Sequence, residues 1–147
     1  MALQWIREEP AVWDSERRRI IEGAPSGALS VKAGADGQIV PGDWWRVEQD
    51  GHVVGYGWMD HAWGDAEVLL AVAPDSQAHG IGTFILDRLE AEAATRGINY
   101  LYNVIPAGHP RKGHLKHWLM RRGFASSHDG SLLKRPVLSP DDESQDA

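Results

Sequence analysis

The chain has 147 residues, 42% of them apolar, enough for one domain with a buried core. A formal net charge of −6 argues against a nucleic-acid binder, which would present a basic face. The chain holds no cysteine, which excludes disulfides, thiolate metal sites and cysteine nucleophiles.

No apolar run is long enough to span a membrane, and the first residues lack a basic-then-apolar leader, so a cytoplasmic location is the expectation. Asp14-Ser15 ahead of 16–22 reads as a capped helix with Ile20 and Ile21 inward. Residues 23–27, with Pro25, break it; 28–32 read as a short strand and 33–37 as a turn-rich loop. Residues 44–49 predict a strand, Asp50-Gly51 a two-residue hairpin turn, and 52–59 its partner. Residues 60–65 read as a polar connection carrying His61 and Trp63.

Residues 67–73 are nearly continuous in apolar side chains, as expected of a strand covered on both faces. Residues 80–96 form the strongest helical pattern, with Ile81, Phe84, Ile85, Leu89 and Ala93 as its inward stripe and Gly97 as its stop. A strand over 99–105 ends at Pro106, a shorter helix over 114–122 ends at Gly123-Phe124, and 132–134 read as a last strand. The folded unit is expected to fill 1–138, with 139–147 a disordered acidic tail. A meander feeding a strand–helix–strand crossover implies one α/β (α+β) domain, a mixed central sheet of about six to seven strands with helices on both faces.

The most informative stretch runs from Glu67 to Leu89: a buried strand ending in Val72-Ala73-Pro74, a polar loop, then Gln77-Ala78-His79-Gly80-Ile81-Gly82-Thr83 opening the helix. Strand, glycine loop and helix together offer backbone N–H groups and a helix N-terminus to an anion. No Gly-x-x-x-x-Gly-Lys-Ser/Thr occurs, which removes a nucleoside-triphosphate loop, and position 85 is Ile, where a dinucleotide fingerprint needs its third glycine.

In this order of elements the chain resembles the GNAT superfamily of N-acetyltransferases, most sharply over 67–89, with Leu101-Tyr102-Asn103-Val104 and Arg121-Arg122-Gly123-Phe124 behind it. The resemblance implies acetyl-CoA as donor and an amine as acceptor, a small molecule or a peptide. It places the coenzyme diphosphate on the amides of Gln77, Ala78, His79, Gly80, Ile81, Gly82 and Thr83. It places the pantetheine arm along the main chain of Leu70, Ala71 and Val72, in a splay between that strand and the one holding Asn103. His79 stands where many relatives carry Arg or Lys, so one fixed positive charge is replaced. The family's frequent tyrosine, the proton donor to the leaving thiolate, falls on Leu119, and the stretch before Gly123 is longer than the common pattern.

An amine attacks a thioester only when neutral, so a base is needed. Glu67 is the candidate, with Asp60, His61 and Asp65 as rivals. A main-chain N–H near Val72 is the candidate oxyanion donor, and His117 or Tyr102 the candidate proton donor to the thiolate. His109, His114 and His117 cluster without a nearby carboxylate, so no metal is expected. Arg111, Lys112, Lys116, Arg121 and Arg122 read as a solvated basic face, with contact to the coenzyme's 3′-phosphate or to an acidic partner as the sharper alternative. Trp44, Trp45, Trp58, Trp63 and Trp118 are mostly core, with an acceptor pocket or a homodimer contact as alternatives. Three functions follow: an acyl-CoA-dependent N-acyltransferase working by direct transfer in a ternary complex, a non-catalytic acyl-CoA-binding sensor or scaffold, and, disfavoured by charge, an acetyltransferase acting on nucleic acid.

Overall fold

The computed structural model describes residues 2–22, 35–76, 80–105, 112–127 and 132–137, the side chains of Ala62 and Lys112 apart. The strand expected over 28–32, the loop residues Gln77, Ala78 and His79, His109 and Arg111, and the tail over 139–147 lie outside these residues. The elements are β1 (Leu3–Glu8), α1 (Ser15–Glu22), β2 (Asp43–Gln49), β3 (His52–Ala62), β4 (Asp65–Val72), α2 (Ile81–Thr95), β5 (Tyr100–Val104), α3 (Lys112–Met120), β6 (Ala125–Ser126) and β7 (Leu132–Pro136). They form a seven-stranded sheet in the order β1-β2-β3-β4-β5-β7-β6. Every pairing is antiparallel except β4 with β5, which α2 joins as a parallel crossover.

The mixed sheet with helices on both faces is as expected, with corrections at its margins. The chain opens on a strand rather than a helix: β1 pairs with β2 from Leu3↔Gln49 to Glu8↔Trp44. Residues 60–62 extend β3 instead of leaving the sheet, because Asp60, His61 and Ala62 pair with Glu67, Ala66 and Asp65. The polar connection shrinks to a two-residue turn, Trp63-Gly64, with φ of 56° and 83°. β6, only two residues long, was also unmarked in the sequence. Asp14 caps α1 as expected, its carboxylate accepting the Arg17 N–H at 2.7 Å.

The sheet divides two apolar clusters. On one face α2 and α3 bury Ile81, Ile85, Leu86, Leu89 and Leu119 against Trp45, Val47, Ala66, Val68, Leu101 and Leu133. Phe84, expected inward, is half-buried, and Leu86 takes its share of the core. On the other face α1 contributes Ile20 and Ile21 to a cluster with Trp44, Tyr56, Trp58, Leu69 and Ala71. A Cβ on Gly55 would lie 3.0 Å from Ile85 Cδ1, and one on Gly57 2.9 Å from Ile85 Cγ2. These two glycines of β3 therefore form a trough that lets α2 settle close to the sheet.

Candidate active site

The site starts from a break in the sheet. β4 pairs with β3 along its whole length, out to Gly55↔Val72. β5 pairs with β7 out to Val104↔Leu132. Between them, β4 and β5 share only three rungs, Asp65↔Tyr100, Ala66↔Leu101 and Glu67↔Tyr102. Each strand keeps its outer partner and loses its inner one, so the sheet parts beyond Glu67 and Tyr102. The next β4 carbonyl, Val68 O, is met by a side chain: Asn103 Nδ2 donates to it at 2.9 Å. Asn103 is 9% exposed, and its Oδ1 is buried without a hydrogen-bond partner.

On the face shared with α1, Asp60, Glu67, Tyr102 and Lys134 stand in one cross-strand row. Burial pushes the Glu67 carboxyl above its usual range, and the Asp60 carboxylate adds to the rise. Burial likewise raises the Tyr102 phenol, reinforced by the negative charges of Glu67, Asp60 and Asp65. Lys134 Nζ pairs with Asp65 Oδ2 at 3.2 Å and sits 4.2 Å from the centre of the Tyr100 ring.

On the opposite face lies the start of α2. Gly80 caps it at φ 79°, ψ 4°, a left-handed conformation that suits glycine, and nothing lies within 4 Å of where its Cβ would be. The amides of Ile81, Gly82 and Thr83 begin the helix without intrahelical acceptors. Trp118 of α3 covers Gly82, where a Cβ would stand 3.3 Å from its Cζ2. Arg122 lies over the Trp118 ring at 3.8 Å and donates to Thr83 Oγ1 from Nη2 and Nε at 2.9 and 3.2 Å. Arg122 is therefore anchored at the first turn of α2 rather than on a solvated face. Its partner is 39 residues away, a separation with no sequence signal.

The structure thus brings Glu67 and Tyr102 together and leaves His117 apart. His117 is exposed on α3, whose inward residues Leu115, Trp118 and Leu119 pack on the α2 side of the sheet. Leu119 is 3% exposed within that core. His114 is exposed, and no group of three or more metal-ligating side chains occurs among the described residues. A cleft of about 410 Å³ bordered by Glu16, Arg19, His52 and Asp75 lies past the far end of β4 and holds none of the predicted site residues.

A family model for the acetyltransferase (GNAT) domain matches residues 41–125, from just before β2 to β6. The chain belongs to the GNAT acetyltransferase family. Among solved structures, this GNAT domain is similar to a Desulfovibrio desulfuricans protein assigned to the same family, with TM-score 0.69 and 17% identity over 93% of this chain and 100% of that one. It is also similar to N-acetylglutamate synthase from Neisseria gonorrhoeae, crystallised with coenzyme A and L-arginine, with TM-score 0.54 and 22% identity over 64% of this chain. That match spans only 24% of the synthase. Ribosomal-protein-alanine N-acetyltransferase from Brucella melitensis matches with TM-score 0.56 and 21% identity over 65% of this chain and 69% of that one. No curated protein matches in sequence, and no described helix is long and apolar enough to cross a membrane.

The residues of this GNAT domain suit an acyl-coenzyme A. The strands part beyond Glu67 and Tyr102, the Gly80 start of α2 has open space beside first-turn amides that lack intrahelical acceptors, and Asn103 Oδ1 is a buried acceptor without a partner, features that fit such a group.

Proposed function

We propose that this enzyme moves an acetyl group from acetyl-CoA to an amine, on a small molecule or a peptide, by direct attack within a ternary complex. The observation that carries the reading is the placement of Glu67 and Tyr102 at the last rung before β4 and β5 part, opposite the face that holds the start of α2. Bound acetyl-CoA supplies the activated acyl group and a thiolate leaving group that is only weakly basic near neutral pH. Gly80, Ile81, Gly82 and Thr83 hold its diphosphate, together with the loop residues Gln77, Ala78 and His79, and Leu70, Ala71 and Val72 line its arm.

Glu67 takes the proton that an ammonium must lose before it can attack. Its upward shift brings it nearer the pH at which such a transfer is efficient. Tyr102, held in its protonated form, offers an O–H donor beside the same rung. The cross-strand pair of Asp60 and Glu67 suits a cationic acceptor on that side. Calorimetry with coenzyme A, followed by detection of free thiol on supplying amines, tests the reading. Binding with thiol release supports it; an acetyl group retained covalently on the protein in stoichiometric amount refutes direct transfer.

The buried Leu119, in the slot where the family's tyrosine is expected, supports a second reading, a non-catalytic acyl-CoA-binding module. Under that reading the protein binds coenzyme A and turns over no amine.

A further inference from the structure

Among the described residues, Asn103 has a buried carboxamide whose two ends fare differently. Its carboxamide stands in for a missing rung: Nδ2 donates to Val68 O at 2.9 Å just where the β4–β5 ladder stops. The orientation of the amide is fixed by chemistry, because a carbonyl can be met only by the N–H end. That choice commits the other end. Oδ1 is buried with no partner, on a residue 91% removed from solvent, and a buried acceptor left unmatched is unfavourable. A leucine or valine would pack with neighbouring Leu101 and Ile105 without that penalty.

We infer that Asn103 is a positioning residue whose Oδ1 accepts a hydrogen bond from an amide N–H of the coenzyme's pantetheine arm. The inference rests on the acetyl-CoA reading above. It is directed to the arm rather than to the amine because Asn103, like Leu101 and Ile105, lies on the α2 and α3 side of the sheet, while Glu67 and Tyr102 face the other side. One carboxamide then holds the strands apart with its donor and registers the arm along the slot with its acceptor. The thioester is thereby set at a fixed depth relative to the Glu67–Tyr102 rung.

The test compares wild type with Asn103→Leu by calorimetry, using coenzyme A and adenosine 3′,5′-bisphosphate, which carries the nucleotide end without the arm. Asn103→Leu weakens coenzyme A by roughly three- to tenfold, the worth of one hydrogen bond, and leaves the bisphosphate unchanged. Equal weakening of both ligands means a merely structural role and overturns the inference, as does no weakening of either. A variant that keeps coenzyme affinity but raises the KM of the amine assigns the acceptor atom to the other substrate and also overturns it. Should Asn103→Leu not fold, wild type is titrated with coenzyme analogues in which each arm amide in turn is replaced by an ester. One of the two loses affinity by the same factor if the inference is right, and neither does if Oδ1 binds only water. Failure of wild type to bind coenzyme A at all counts instead against the acetyl-CoA reading itself.

Discussion

Gly57 sets how closely α2 approaches the sheet, and adding one methyl group there measures that constraint. In Gly57→Ala the new Cβ would fall 2.7 Å from Trp5 Cη2 and 2.9 Å from Ile85 Cγ2, where contact normally begins near 3.4 Å. Both neighbours are committed elsewhere: Trp5 stacks on Trp45 with ring centres 5.4 Å apart and meets the edge of Phe84, and Ile85 is fully buried. Overpacking of this kind costs about 1–3 kcal/mol, and disturbing the stack adds about 0.5–1.5 kcal/mol. The lower entropy of unfolded alanine returns about 0.4–1 kcal/mol. The net expectation is about 2 kcal/mol, a fall in Tm of about 4–8 °C for a domain of this size. Urea unfolding followed by tryptophan emission reads the change as a lower midpoint at constant slope. Trp5→Phe removes the ring that the methyl strikes, so the double variant should recover about 1 kcal/mol relative to additivity. A Gly57→Ala protein as stable as wild type, or strictly additive effects, would refute the packing argument.

Glu67→Gln should lower kcat by about 10²–10⁴-fold with coenzyme affinity retained. Its stability has a definite sign too. A carboxyl raised in the folded state disfavours folding once ionised, so the variant should match or exceed wild-type Tm at neutral pH and lose that advantage in acid; a lower Tm at pH 7 would contradict the burial assigned to Glu67. Asp60→Asn removes the charge that helps raise Glu67, so the acid limb of the kcat/KM profile should move to lower pH; an unmoved limb means that Glu67 is not the titrating base. Arg122→Gln severs α3 from Thr83 and should cost about 1 kcal/mol in urea unfolding. Thr83→Val should cost a similar amount, and the pair should be markedly non-additive.

The elements legible in the sequence were those whose pattern is local. Residues 44–59 carried a hairpin because Asp50-Gly51 supplies the turn chemistry, and α2 was visible in its 3.6-residue stripe. β1 was not, because a six-residue edge strand with no fully buried residue and no alternation of burial borrows its identity from β2, more than 35 positions away. The β3–β4 turn was missed because Trp63, at φ 56°, is a poor signal for a left-handed position, and the row of polar residues before it looks like a loop. In the site, Glu67 and Tyr102 could be nominated separately, but their shared rung depends on a parallel register that only the fold fixes. The two roles of Asn103 and the anchoring of Arg122 on Thr83 are tertiary facts with no motif behind them.

A sheet whose central ladder stops at Glu67 and Tyr102 has two sides from which that point is approached. On the proposed reading the coenzyme comes from the α2 side and the amine from beside α1, so that neither molecule stands in the other's doorway. Free coenzyme A can then depart while the acetylated product is still held, and the reverse. Product-inhibition kinetics should accordingly show no compulsory sequence of arrival or release.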